Sequence, residues 1–151
     1  MMPFELAADV SCSFCGYVAG AIECAIVAED PLAVALVNRS QYERGATLVI
    51  PRRHCATILE ATDTELASVY RLAKQVARAA ARAFGACAVN IYQNNGLKAG
   101  QHIPHLHVHV VPRYSGSDPD RLFRQQDFAI SPIADLQGIA SVLRAALPAN
   151  P

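Results

Sequence analysis

The stretch from His105 to Val111 alternates histidines with aliphatic side chains, in the order His-Leu-His-Val-His-Val-Val. Successive side chains of a β-strand point to opposite faces, so a strand here carries three histidines on one face and aliphatic side chains on the other. Four of the five histidines of the chain lie between His102 and His109. The pattern therefore predicts a strand whose imidazole face contacts a ligand, and the alternative is an ordinary solvated polar face.

Four other segments have the composition of strands. Short apolar runs bounded by turn residues predict strands at Ala25–Ala28, Leu32–Val37, Ala46–Ile50 and Ala88–Gln93. The tripeptide at 29–31, Glu-Asp-Pro, is a turn signal, so the first two strands are expected to form a hairpin.

Two helices are expected. Residues 62–65, Thr-Asp-Thr-Glu, carry a capping-box pattern, and the apolar positions that follow recur at spacings of three and four as far as Phe84. Tyr70 and Val76 belong to this apolar stripe, and Gly85 is the expected stop. The stripe predicts a long helix that packs on the sheet.

The C-terminal part predicts a second helix that begins at Ser131-Pro132, with serine as the cap and proline at the first helical position, and ends near Leu147. The strands follow one another with mostly short connections. The sequence therefore predicts an α+β fold, with a five-stranded antiparallel sheet, one long helix and a C-terminal helix.

Composition limits the classes of function. The 151 residues are 52% hydrophobic and 17% charged, which predicts a single globular domain over residues 1–151. Thirteen basic residues balance thirteen acidic ones, so the chain lacks the positive field of a nucleic-acid binder or of a protein that adheres to anionic membranes. No apolar run reaches the roughly 20 residues of a membrane span, and Met1 to Val10 does not resemble a signal peptide, so a cytoplasmic location is expected.

Cys12 and Cys15 form a Cys-x-x-Cys pair in a chain with an odd number of cysteines, five in all. Such a pair can supply two thiolate ligands to a tetrahedral zinc ion, which then needs two further ligands from elsewhere. Two unmetallated thiols and a redox pair are the alternatives. No βαβ pattern surrounds the pair, which disfavours a thioredoxin-like role, and zinc is the preferred interpretation.

The His-φ-His-φ-His-φ-φ segment, with φ apolar, resembles the signature of the histidine triad (HIT) family. The resemblance extends from Cys12 to about Arg113 and includes GATLVIPRRH at 45–54 and NIYQNNGLKAGQ at 90–101. The chain is most similar to the bacterial nucleotide-binding, Hint-like branch. This resemblance implies a HIT-like fold, a homodimer, and a purine nucleotide such as AMP or its conjugates bound at each triad.

The resemblance also implies a chemistry. His107 is then the nucleophile that forms a nucleotidyl-histidine, His109 contacts the α-phosphate oxygens, and His102 stands where many relatives have a hydroxyl that points to the leaving group. These roles predict a hydrolase or transferase that acts on nucleoside phosphoramidates, dinucleoside polyphosphates or adenylylated conjugates. A nucleotide-binding regulatory protein with little turnover is the alternative, and a zinc protein with its histidine row on the metal is a third, less favoured class.

The remaining site residues also come from the resemblance, and several have plain structural alternatives such as a tight turn at 94–96 or simple core packing. The expected nucleotide contacts are Asn94, Gly100 and Gln101 at the phosphate, Phe14, Tyr17 and Leu36 at the base, and Asn38 at the ribose. The expected ligands of a structural zinc ion are Cys12, Cys15, His54 and His105.

Overall fold

The computed structural model describes residues 4–8, 11–123 and 129–149, so part of the Met1–Val10 segment lies outside the described residues. The five strands are β1 (Ile26–Glu29), β2 (Ala33–Val37), β3 (Thr47–Pro51), β4 (Ala88–Gln93) and β5 (Val108–Arg113). The three α-helices are α1 (Ser13–Val18), α2 (Asp63–Phe84) and α3 (Ile133–Ala146). The strands form one antiparallel sheet in the order β1-β2-β3-β5-β4, and the predicted α+β fold is confirmed.

The helix α2 follows its sequence signals closely. Thr62 and Glu65 form both halves of a capping box, and Gly85 ends the helix in the left-handed conformation at φ 69°. The buried face of α2 packs on β2, β3 and β5, with Val76 fully buried. Tyr70, expected in the apolar stripe, is instead 45% exposed, because it lies at the border of that face.

The C-terminal helix α3 packs against α2 and β1 and buries Leu136, Ala140 and Leu143. It begins at Ile133, and Pro132 is its N-cap, so the prediction that Ser131 caps the helix is wrong. The physical reason is that the backbone N–H of Ser131 donates to the carbonyl of a loop residue at position 39, 2.9 Å away, which holds Ser131 in an extended segment.

The histidine segment begins its strand later than predicted. β5 starts at Val108, not at His105. The backbone N–H of Leu106 donates to the carbonyl of Cys55 at 2.7 Å, so this part of the chain bonds to a loop and not to the ladder. The first pair with β3 is Val108 with Val49. The alternation of faces nevertheless holds, since Val108 packs with α2 while the histidines lie on the other side.

The helix α1 has no counterpart among the sequence predictions. Cys12 caps it, with its Sγ accepting from the backbone N–H of Cys15 at 3.5 Å. Phe14 and Tyr17, three positions apart, lie buried against the side chains of β2 and β3 on the sheet face opposite α2. Within the described ranges, no helix is both long and apolar enough to cross a membrane.

Candidate functional site

A pocket of about 510 Å³ lies on the sheet face opposite α2. Its floor is a cross-strand row in which Leu36 pairs with Leu48, Leu48 with His109, and His109 with Tyr92. Because neighbouring strands lie about 4.8 Å apart, this row spans roughly 14 Å across the sheet. The pocket is therefore long enough for an extended ligand that reaches from β2 to β4.

Most of the residues that the sequence assigns to nucleotide or to catalysis line this pocket. They are Phe14, Tyr17, Leu36, Asn38, Asn94, Gly100, His102, His107 and His109. Phe14 and Tyr17 come from α1, and their rings are 5.9 Å apart between centroids. Asn94 and Gly100 contact each other, with Asn94 Nδ2 3.4 Å from the Gly100 carbonyl oxygen.

Gln101 occupies a different place. Its side chain is buried and does not line the pocket. Its Nε2 donates to the carbonyls of Ala56, at 2.6 Å, and Ile103, at 3.1 Å, while its Oε1 accepts from the N–H of Gly96 at 2.7 Å. The side chain therefore braces the loop that holds Gly100, whose φ of +83° suits glycine.

His107 is held at one nitrogen by the backbone. Its Nδ1 lies 2.8 Å from the carbonyl oxygen of His105. A carbonyl can only accept, so Nδ1 carries the hydrogen and Nε2 keeps a lone pair. Burial lowers the pKa of His107, which keeps the ring neutral. Phe14 meets the ring edge-on with 5.2 Å between centroids, and the Nε2 lone pair of this imidazole is chemically able to act as a base or a nucleophile.

His109 is held by two tyrosines. Its ring stacks on Tyr92 at 4.4 Å between centroids with 4° between planes. Its Nδ1 lies 3.4 Å from the hydroxyl of Tyr42. Burial, and then the neighbouring His107, lower the pKa of His109 to about 3, so this imidazole is neutral as well.

His105 turns away from the pocket toward the cysteine pair. Its Nδ1 lies 3.3 Å from Cys12 Sγ and 3.6 Å from Cys15 Sγ. His54 Nδ1 lies 3.4 Å from Cys15 Sγ, and the four ligand atoms of these residues all lie within 4.8 Å of one another. The structure therefore brings all four sequence-predicted metal ligands together.

This cluster fits a tetrahedral zinc ion. With bonds of about 2.3 Å to sulfur and about 2.0–2.1 Å to nitrogen, tetrahedral angles place S and N about 3.6 Å apart, close to the three distances above. Nε2 of His105 lies 3.0 Å from the carbonyl oxygen of Pro51, so Nε2 carries the hydrogen and Nδ1 is free to ligate. Burial lowers the pKa of His105 to about 4, which keeps that lone pair available.

Several residues of the pocket were not predicted from the sequence, and most of them reach it only through the tertiary fold. They are Ser13, Arg39, Ser40, Leu48, Tyr92, Ile103 and Ile130. Ile130 reaches the site through an isolated bridge with Ser40, which no local pattern signals. Leu48 could have been found, because in a strand it shares a face with Ile50 and alternates with α2-facing residues.

The chain is similar in sequence and in fold to proteins of one known family. The model of the HIT domain family matches residues 19–116. Protein hit of Bacillus subtilis is 39% identical over 108 residues, which are 72% of this chain and 74% of that protein. An adenosine 5'-monophosphoramidase of Schizosaccharomyces pombe is 36% identical over 104 residues, 69% of this chain and 75% of that protein. A zinc-bound histidine triad family protein of Mycobacterium smegmatis superposes with a TM-score of 0.76 at 32% identity, covering 90% of this chain and 92% of that one.

Proposed function

The chain belongs to the HIT domain family, and from that premise we propose that it is a nucleotidyl hydrolase or transferase that cleaves at the α-phosphate of a purine nucleotide conjugate. The observation that carries the proposal is the hydrogen bond of 2.8 Å between His107 Nδ1 and the His105 carbonyl oxygen. It leaves Nε2 of a neutral imidazole as a nucleophile on the pocket side. Nucleoside phosphoramidates, dinucleoside polyphosphates and adenylylated conjugates are the proposed substrate classes.

The proposed reaction has two steps. Nε2 of His107 attacks the α-phosphorus, a nitrogen–phosphorus bond forms, and the bond from phosphorus to the leaving group breaks. Water then attacks the phosphorus of the nucleotidyl-histidine, the nitrogen–phosphorus bond breaks, and its electron pair returns to Nε2 of His107. The proton that water loses replaces the one taken up by the leaving group. The His105 carbonyl accepts a hydrogen bond from Nδ1 of His107 in both steps, and this bond stabilises the positive charge that the ring gains in the first step.

The remaining pocket residues take supporting roles in this proposal. His109, Asn94 and the backbone at Gly100 lie at the phosphate, with Gln101 holding that loop in place. Phe14, Tyr17 and Leu36 enclose the base, since aromatic and aliphatic faces suit a flat π-system. Asn38 lies at the end of β2, on the far side of the pocket from β4, where a ribose would lie.

One assay tests the proposed function. Purified protein is incubated with a fluorogenic adenosine phosphoramidate, and we expect release of the amine together with AMP. Quenching in acid during turnover should trap an adenylyl group on His107, which peptide mass spectrometry detects. Binding of AMP without any amine release would favour the alternative of a regulatory nucleotide-binding protein.

His102 is proposed as the acid that protonates the leaving group. Its side chain is exposed and lines the pocket beside Asn94 and Gly100. An imidazole nitrogen can carry the proton that the leaving group takes up, and general-acid catalysis contributes roughly 10²-fold or more. We expect His102→Ser to slow release of an alkylamine by up to ~100-fold and to affect an arylamine, a better leaving group, far less. Equal effects on both substrates would contradict this role.

We propose that Cys12, Cys15, His54 and His105 hold a structural zinc ion. The distances within the cluster and the Pro51 carbonyl behind His105 support this assignment. Four protein ligands leave no open position for water, so the zinc ion would supply a cross-link between α1 and the segment before β5. Two thiolates kept for a metal also suit the cytoplasmic location that the sequence predicts.

We propose that the protein is a homodimer that pairs through β4. The opposite edge of the sheet is covered, because side chains of α3 reach it: Gln137 Nε2 donates to the Cys24 carbonyl at 3.2 Å. β4 is the other edge, and its Val89 and Ile91 are 41% and 40% exposed. Pairing two copies there would bury these side chains. Sedimentation is expected to give the dimer mass at micromolar concentration, and a monomer mass would contradict the proposal.

The single domain over residues 1–151 remains a proposal. The family match covers 19–116, but packing extends further in both directions. Phe14 of α1 is buried against β2 and β3, and Leu143 of α3 is fully buried in the cluster around α2. These contacts support one domain that includes the Cys-x-x-Cys segment and the C-terminal helix.

A further inference from the structure

The hydroxyl of Tyr42 lies buried beneath the pocket and meets three polar groups. Tyr42 follows β2 and is 9% exposed. Its oxygen lies 3.4 Å from His109 Nδ1 and 3.5 Å from the hydroxyl of Tyr92, and it also forms a hydrogen bond with the side chain of Asn38. Catalytic hydrogen bonds are often this long in enzymes without bound substrate. The arrangement links the ribose end of the pocket to its phosphate end.

The hydrogens and lone pairs of these groups limit how they can bond to one another. A tyrosine hydroxyl has one hydrogen and two lone pairs. Asn38 Oδ1 already accepts from the backbone N–H of Ser40 at 3.1 Å, which turns the amide Nδ2 toward other partners. Nδ2 can only donate, so in a hydrogen bond between Nδ2 and Tyr42 the tyrosine oxygen is the acceptor. Asn38 therefore occupies one lone pair of Tyr42.

The Tyr42 hydroxyl stays protonated and can donate one hydrogen bond to a neighbouring acceptor. Burial is the largest influence on Tyr42 and raises its pKa, so the group stays protonated. The bare nitrogen of a neutral imidazole is a stronger acceptor than a phenol oxygen. A Tyr42 proton directed at His109 Nδ1, 3.4 Å away, leaves the Tyr92 hydroxyl, 3.5 Å away, to donate to the other lone pair of Tyr42.

We propose that Tyr42, oriented by Asn38, is a positioning residue that holds His109 in the tautomer with its hydrogen on Nε2, directed at the phosphate oxygens of the substrate. The inference rests on the proposed nucleotidyl transfer, in which negative charge builds up on those oxygens. An imidazole with a bare Nε2 would present a lone pair to them and repel them. Stacking on Tyr92 with 4° between planes fixes the ring so that Nδ1 points at Tyr42.

The two catalytic imidazoles then have opposite tautomers for a structural reason. The second nitrogen of His107 faces a carbonyl, which only accepts, whereas the second nitrogen of His109 faces a hydroxyl that donates. His107 consequently presents a lone pair to the pocket and His109 presents a hydrogen. The same residue type thus supplies a nucleophile and a hydrogen-bond donor two positions apart.

The identity of residue 38 matters in this scheme. A carboxylate at that position would accept the proton of Tyr42, and the Tyr42 oxygen would then accept from His109 Nδ1. The hydrogen of His109 would move from Nε2 to Nδ1. Asn38→Asp, which changes little in volume, is therefore expected to reverse the tautomer of His109.

The first test measures the tautomer of His109 in the wild-type protein. Long-range ¹H–¹⁵N spectra of the protein as purified, labelled at histidine nitrogens, distinguish a protonated from a bare ring nitrogen. The His109 signals are assigned by their loss in His109→Gln. We expect a protonated Nε2 and a bare Nδ1 in the wild type, and a wild-type His109 protonated at Nδ1 would overturn the proposal whether or not the protein turns over any nucleotide.

The second test uses Tyr42→Phe and Asn38→Asp. Tyr42→Phe should lose the single tautomer of His109 and lower kcat for an adenosine phosphoramidate about tenfold with little change in KM, the usual scale for removing a group that orients a functional histidine. Asn38→Asp should show Nδ1 protonated, and it should change the His109 spectrum no further when Tyr42 is already phenylalanine. Tyr92→Phe keeps the ring stack and the Tyr42 proton, so it should keep the wild-type tautomer.

A matched control separates this role from loss of a tyrosine hydroxyl in general. Tyr114→Phe removes a hydroxyl that donates to the carbonyl of Arg44 at 2.6 Å, away from the pocket, and should leave the His109 spectrum and kcat unchanged. The proposal is wrong if Tyr42→Phe folds with the wild-type tautomer of His109 and wild-type kcat. If Tyr42→Phe does not fold, the spectra of the wild type and of Asn38→Asp decide.

Discussion

Replacing His107 by alanine is expected to lower turnover of an adenosine phosphoramidate by roughly four orders of magnitude or more, the scale on which loss of a nucleophile acts. The carbonyl oxygen of His105 lies 2.8 Å from Nδ1 of His107 and leaves a lone pair on Nε2, the attacking atom of the proposed reaction. Alanine has no such atom. AMP should still bind, because Phe14, Leu36 and Asn38 remain. Stopped-flow fluorescence and calorimetry measure the two quantities.

His107→Asn is the matched variant for this prediction. An asparagine can still donate to the carbonyl of His105, so the local backbone is preserved while the nucleophile is lost. We expect it to be as inactive as His107→Ala. Near-wild-type turnover in either variant would show that another group attacks phosphorus.

Removing the proposed zinc ion is expected to have the largest effect on stability. A metal held by four residues of the folded chain stabilises it by several kcal/mol, and ~3 kcal/mol corresponds to a fall in Tm of roughly 10 °C for a domain of this size. Elemental analysis should find about one zinc ion per chain. Cys15→Ser, which removes one ligand 3.4 Å from His54 Nδ1, should lower both the zinc content and Tm.

Cys87→Ser is the control, since Cys87 is exposed and lies outside the cluster. It should change neither zinc content nor Tm by a measurable amount. The zinc assignment fails if the protein contains no metal and a chelator leaves Tm unchanged.

The proposed metal cluster and the proposed nucleophile are linked through His105. Its ring faces Cys12 and Cys15, while its carbonyl accepts from His107. Loss of the metal would free the ring and, through the same residue, loosen the group that sets the tautomer of His107. We therefore expect Cys15→Ser to lower kcat as well as Tm, although no zinc ligand touches the substrate in the proposed reaction.

Much of the fold could be predicted because its signals are local. The capping box at Thr62 and the left-handed Gly85 depend on neighbours within one helical turn, and the structure has both. The start of β5 could not be predicted, because it depends on whether Leu106 bonds to β3 or to the loop at Cys55. Helix α1 has only six residues, which is too short for periodicity to distinguish it from a loop.

Part of the candidate site could likewise be predicted from local sequence patterns, and part could not. The histidine row and the cysteine pair are visible as spacings in the sequence, and the structure brings the four predicted metal ligands within 4.8 Å of one another. Tyr42 and Ile130 could not be predicted, since Tyr42 contacts His109 from a loop and Ile130 reaches the pocket through a distant bridge with Ser40. The sequence predicts Gln101 at the phosphate, but in the structure its side chain bonds to the backbone of Gly96 and Ala56.

The two edge strands of the sheet, β1 and β4, differ in whether side chains of α3 bond to them, and this difference bears on how copies of the chain could assemble. At the β1 end, the side chains of Gln137 and Arg144 bond to the carbonyls of Cys24 and Ile26, so a strand that added beside Ile26 would have to displace the Arg144 side chain. β4 is the other edge strand of the described sheet. If the chain pairs through β4, as proposed, each copy offers one such edge, so backbone pairing would stop at two copies instead of propagating into a filament.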